Sequence, residues 1–276
     1  MESHAPFRQL NQDPTLKRQK LPKVKPDNRQ FSILCERYLE LILADKWNTL
    51  LLLAQAPVIA GLIVIIWRDY NEVTSSLLFV LALSAIWFGT LNACREIVKE
   101  KSIFEREWMK GLSLASYLWS KLAVLALIGF AQCLCLVFIV NSSIDLGDPP
   151  LAHLIVLFPA SLAGTGLGLL ISASVTSVDR SLTAVPLLLL PQILFSELLI
   201  SHDHSSDLVK FLEKTAITTW TYDGLDQLEQ SEIDWSIIFW SLTVPCLMTV
   251  LFVVLSYGIM RFRLPRGTTR PRKAKA

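Results

Sequence analysis

His202-Asp203-His204 offers two imidazoles and a carboxylate, the side chains of a metal site. Two histidines two residues apart, with no further ligand cluster, fall short of the four-ligand set that zinc takes, and a polar turn accounts for them. Gly164-Thr-Gly166-Leu-Gly168 is glycine-rich but lacks the G-x-G-x-x-G spacing of a dinucleotide loop and lies inside an apolar run. No G-x-x-x-x-G-K-[ST] loop occurs anywhere, so the chain lacks that device for holding ATP. Glu197 is a carboxylate at the edge of an apolar run. Such a group is costly in a membrane and marks a candidate transport pathway; the alternative leaves it solvated where the run ends near Phe195. Gln55, close to Pro57 in the first apolar run, can face a bundle interior and joins Glu197 as a pathway candidate. Cys35, Cys94, Cys133, Cys135 and Cys246 all fall in apolar runs or beside basic segments, which gives no disulfide framework and reads as small apolar filler. None of these groups forms a catalytic set, and the chain reads as a non-enzyme.

The densest functional chemistry lies in Cys94–Ser113, a charged stretch between two apolar runs that must sit in water. As a helix it places Ile97, Phe104, Trp108 and Leu112 along one side. Glu96 with Lys99, Lys101 with Glu105, and Glu107 with Lys110 are then spaced to pair, each contributing about 0.2–0.5 kcal/mol. Glu100-Lys101-Ser-Ile-Phe104-Glu-Arg106-Glu107, followed by Gly111-Leu112-Ser113, Tyr117 and Lys121, resembles the segment after the second span of type-2 ABC exporter permeases, the G-like class above all. In that family the segment has the form E-[RK]-x-x-[FV]-x-[RK]-E, then G-L-[YS] and A-Y-x-x-x-K, and docks on a nucleotide-binding domain. The resemblance implies that Glu100, Phe104, Arg106, Glu107 and Trp108 couple this chain to such a partner. ATP and magnesium would then be held by the partner, with no cofactor on this chain.

These residues need a membrane scaffold to position them. The chain is 52% hydrophobic and 18% charged with mean hydropathy +0.45. A spanning helix needs roughly 20 mostly apolar residues. Trp47–Trp67, Ser76–Cys94, Leu118–Val140, Leu151–Val175, Leu182–Ile200 and Trp235–Met260 meet that condition, which predicts an all-α polytopic membrane protein with six transmembrane helices. Lys121 and Glu197 lie near span ends and are expected to snorkel toward the interface. Of the 26 lysines and arginines, all but Arg68, Lys210 and Lys214 fall on one predicted side. Basic residues are retained in cytoplasmic loops, so both termini and the charged stretch are expected to be cytoplasmic.

In chain order, residues 1–30 are polar, proline-bearing and without a signal-peptide core, and read as a disordered basic tail or linker. Residues 31–46 place Phe31, Leu34, Tyr38, Leu41 and Ile42 opposite Glu36, Arg37 and Glu40, an amphipathic helix in the membrane plane that is similar to the connecting helix of G-class permeases. Residues 47–260 form the permease domain. Within it Ala160, Gly164, Gly168 and Ser172 recur every four residues, a small-residue ladder for close helix packing. Gly168–Ser196, with Pro186 and Pro191, and Trp220-Thr-Tyr222-Asp-Gly-Leu225 resemble the family's later spans and outer helices, although Glu197 stands where the family usually has glycine. Residues 261–276 are a basic tail suited to anionic headgroups.

The resemblance implies an exporter permease that works as a homodimer or heterodimer, with a nucleotide-binding domain and the bilayer as partners and no nucleic acid. Outer loops without cysteine favour a bacterial inner membrane. An ion-coupled carrier or membrane enzyme is the alternative, though carriers usually need ionisable groups near the midplane, which these spans lack. A non-transporting scaffold subunit is a further alternative.

Overall fold

The computed structural model describes residues 28–70, 73–147, 149–194, 207–230 and 232–264, and among them every regular element is helical. In chain order the helices are α1 (Asn28–Ala44), α2 (Lys46–Trp67), α3 (Ser75–Ala93), α4 (Lys101–Met109), α5 (Leu114–Asn141), α6 (Pro150–Ser174), α7 (Val178–Leu194), α8 (Asp207–Thr215), α9 (Ile217–Leu228) and α10 (Trp235–Arg263). Helices α2, α3, α5, α6 and α10 are long and apolar enough to cross a membrane. The predicted span Leu182–Ile200 coincides with α7 as far as Leu194, and its remainder, with Glu197 and the His202–His204 turn, lies outside the described residues.

Short polar side chains start four of the five long helices, α2, α3, α5 and α10, where they accept from free N–H groups of the first turn, and Pro149 precedes α6. Asp45 Oδ1 accepts from Asn48 N at 3.3 Å, Thr74 Oγ1 from Leu77 N at 3.3 Å, Ser113 Oγ from Ser116 N at 3.4 Å and Asp234 Oδ1 from Ser236 N at 2.9 Å. The runs predicted from Trp47, Ser76 and Trp235 begin within two residues of such a cap, whereas α5 starts at Leu114, four residues before the predicted run.

Helices α3 and α6 pack most closely and form the centre of the bundle. The ladder Ala160, Gly164, Gly168 and Ser172 is buried along this seam, as its spacing predicts. Apolar surface gains little by leaving lipid for protein, so such a seam depends on backbone approach that side chains would block. Helices α2 and α10 are the reverse. Most of their large apolar side chains, among them Leu51, Ile65, Val254 and Phe239, are exposed, as a lipid-facing surface requires.

Three carboxamides tie α2, α3 and α5 together within this apolar region. Gln55 Nε2 donates to Asn92 Oδ1 at 3.1 Å, Asn92 Nδ2 to Gln132 Oε1 at 2.6 Å, and Gln132 Nε2 to the Leu52 carbonyl at 2.6 Å. Helix α9 tucks against α3, α6 and α10, and the Gln192 side chain of α7 caps it by accepting from Ile217 N at 2.7 Å.

Two expectations are corrected here. The stretch 94–113 is not one long helix, because residues 94–100 are a series of turns and only α4 is helical. Ser172 Oγ on α6 accepts from Ile97 N at 2.9 Å and Val98 N at 3.0 Å, so these two N–H groups bond across to α6 instead of into a helix. Gly111, with φ of 104°, then turns the chain out of α4 toward α5, a conformation glycine adopts without strain. The second correction concerns α1. Its apolar face divides: Leu34 and Tyr38 are buried in the protein against α5, while Leu41 stays 53% exposed.

Candidate functional site

At the end of the bundle where α3 stops and α5 begins, four pieces of chain converge: α1, the 94–100 turns, α4 and the first turns of α5. The apolar part is a cluster of Leu34, Tyr38, Ile97, Phe104, Leu114 and Tyr117, in which the rings of Phe104 and Tyr117 lie 4.5 Å apart between centroids.

Beside it is a buried charge cluster. Lys121, only 1% exposed, places its ammonium 2.9 Å from Glu100 Oε2 and 3.7 Å from Glu96 Oε2. It also sits 3.7 Å from the centroid of the Tyr38 ring. Glu96 is held further by Lys99 at 2.5 Å and by the Tyr38 hydroxyl, which donates at 2.5 Å. The Tyr117 hydroxyl donates to Glu100 at 3.3 Å. Two carboxylates and two ammonium groups thus balance, as buried charge demands. Burial, and then the neighbouring Glu96 carboxylate, push the Tyr38 phenol well above its ordinary range, so it remains a donor. At the rim Arg37 of α1 pairs with Glu107 of α4 at 2.6 Å, and that hydrogen bond raises the guanidinium further.

The expected site residues divide by exposure. Phe104 is 2% exposed and lies within this chain's own apolar cluster, with its ring against Tyr117 of α5. Trp108 is half-buried, packed on the same cluster. Glu100 faces Lys121, Glu107 faces Arg37, and Arg106 is exposed. Of the three predicted pairs on this segment, Glu96 with Lys99 forms, while Lys101 with Glu105 and Glu107 with Lys110 do not come within ion-pair distance. The surface of α4 away from the bundle carries Ile103 at 43% exposure and Met109 at 44%, with Ser102, Arg106 and Lys110 also exposed.

Gln55 is not close to this site; it belongs to the carboxamide chain higher in the bundle. Lys121 does not snorkel outward as expected, because Glu96 and Glu100 meet it inside. Tyr38, Glu96 and Lys121 escaped sequence reasoning as one cluster, since no local spacing links residues from three separate segments. Arg263 marks a second anchor, donating to the carbonyls of Ala173 at 2.8 Å and Val175 at 3.1 Å and so satisfying the end of α6.

Among curated proteins, an ABC transporter ATP-binding/permease protein of Mycobacterium tuberculosis is 26% identical over 188 residues, which cover 61% of this chain and 22% of the relative. The chain therefore spans less than a quarter of that relative's length. The ABC-2 type transporter family matches residues 29–229, from α1 through α9 and including the whole charged end of the bundle. This integral membrane protein belongs to the ABC-2 type transporter family.

Proposed function

We propose that the chain is the permease of an ATP-driven exporter and that α4 is its coupling helix. The observation that carries this reading is the outward face of α4, where Ile103 and Met109 stand among Ser102, Arg106 and Lys110 on a helix too polar for the bilayer. Apolar groups within a polar and charged rim are the usual make-up of a protein interface. The partner is a nucleotide-binding domain that holds ATP and magnesium. Glu100, Phe104, Glu107 and Trp108 act from behind the surface by holding α4 in place, and Arg106 meets the partner.

Two permease domains, each covering residues 47–260 with residues 31–46 as connecting helix, form the pathway. The basic ends of the chain, residues 1–30 and 261–276, lie on the cytoplasmic side of a bacterial inner membrane, with residues 28–30 belonging to α1 and 261–263 to α10. Helix α7 serves as a sixth span, Gln55 borders the pathway, and Glu197, outside the described residues, remains the second pathway candidate. ATP binding closes the paired nucleotide-binding domains, and α4 passes the displacement to α3 and α5, the two spans it joins.

The paired substitution Ile103→Asp with Arg106→Glu is expected to reduce co-purification of the ATP-binding chain at least tenfold while leaving the thermal midpoint of the permease unchanged. Undiminished docking would remove α4 as the coupling helix. For orientation, the bias of lysine and arginine predicts that a cysteine at Ser143 reacts with an impermeant maleimide in intact cells, whereas one at Ser102 reacts only after permeabilisation. The reverse pattern would invert the topology.

A further inference from the structure

The buried ammonium of Lys121 has no assigned role, and its surroundings specify one. Lys121 is the only lysine or arginine that is fully buried among the described residues. It lies in α5, yet its contacts reach Tyr38 of α1 and both Glu96 and Glu100 of the turns that lead into α4. A buried ion pair is weak support for stability, since apolar residues of the same shape often replace it without loss. What it supplies is position, because the buried ammonium is compensated only while Glu96 and Glu100 stay beside it. Moving it away from the two carboxylates and the ring face would leave uncompensated buried charge. The carboxylates lie four residues apart in the turn segment, Glu96 within it and Glu100 at its end, so one side chain holds two points of the connection between α3 and α4.

We propose that Lys121 is a positioning residue for coupling: it fixes the 94–100 turns and α4 to α5, so that a push on α4 moves α3 and α5 as one body. This rests on the reading of α4 as the surface that receives the nucleotide-binding domain. Lys121 does not touch the partner. It makes α4 a stiff lever, and without it docking persists while the movement dissipates in the turns.

The test uses the full chain in lipid nanodiscs with the ATP-binding chain that co-purifies with it. Lys121→Met leaves two buried carboxylates short of a cation, a charge imbalance that by itself destabilises the fold, so the deciding variant is the neutral set Lys121→Met, Glu96→Gln and Glu100→Gln. This variant is expected to keep the thermal midpoint and to retain the ATP-binding chain within twofold of wild type. Its amides in residues 96–104 should exchange hydrogen at least tenfold faster, and permease-dependent stimulation of ATP hydrolysis should be lost. Wild-type exchange and stimulation in the neutral variant would overturn the positioning role and leave a stability contact only. Exchange is read on the permease alone, so it decides the matter even where docking fails. Failure of the α4 surface is separate, because Ile103→Asp with Arg106→Glu abolishes docking without altering exchange in residues 96–104.

Discussion

Phe104→Ala is expected to destabilise the permease by about 3–5 kcal/mol, the range found when a buried phenylalanine is emptied. The ring is 2% exposed and meets Tyr117 at 4.5 Å between centroids, and Leu34, Ile97 and Leu114 belong to the same buried cluster. Its removal leaves a cavity where three segments meet, and none of them can close it without disturbing the Lys121 cluster alongside. Thermal unfolding in detergent reads the effect, with Arg106→Ala as the comparison. Arg106 is exposed, and a surface truncation of that kind stays within about 0.5 kcal/mol. The docking assay should rank the two in the opposite order: folded Phe104→Ala protein retains the ATP-binding chain, and Arg106→Ala weakens it. A stable Phe104→Ala variant that has lost docking would return Phe104 to the interface and refute the arrangement in which this chain covers its own aromatic residue.

The contrast between Phe104 and Arg106 shows how far residue spacing carries. An apolar stripe on α4 was legible, because Phe104 and Trp108 recur at helical spacing, but a stripe states only that something covers it. The family resemblance points Phe104 toward a partner, and the structure buries it in this chain's own cluster against Tyr117 of α5. The length of the helix was hidden for a related reason. Ile97 and Val98 give their N–H groups to Ser172, a residue that enters the sequence pattern only as one more small side chain on α6. Lys121 was placed near a span end, where snorkelling is the default. Burial overrides that default only because Glu96 and Glu100 arrive from another segment, and local periodicity does not report such meetings. What was legible was local: apolar runs of spanning length and the four-residue ladder on α6. Each of these is decided by neighbours within a few residues along the chain.

The same ladder gives the other large effect. A Cβ added at Gly164 would fall on the Ile86 carbonyl oxygen of α3, and one at Gly168 would lie 2.6 Å from the Thr90 carbonyl oxygen. From the facing helix, a Cβ at Gly89 would lie 2.6 Å from Thr165 N. All three obstacles are backbone, which cannot rotate aside as a side chain does, so the two helices must separate. Overpacking of this sort costs about 1–3 kcal/mol for a small addition, and within lipid no hydrophobic gain offsets the lost contact. Gly164→Ala is therefore expected to lower the thermal midpoint clearly, and Gly164→Leu to prevent recovery of monodisperse protein. Gly61 on α2 is the control, because a Cβ there meets nothing within 4 Å. Gly61→Ala should be neutral or stabilising by about 0.5–1 kcal/mol, the helix-propensity difference between the two residues. The effect also bears on coupling, since α3 leads directly into the turns that Lys121 holds and α6 carries the Ser172 hydroxyl that receives their N–H groups. Parting the helices at Gly164 should then speed hydrogen exchange in residues 96–104 as well as lower stability, whereas Gly61→Ala leaves both untouched. Should Gly164→Leu match wild type in yield and midpoint, the α3–α6 seam would not be the close backbone contact on which the bundle and its lever depend.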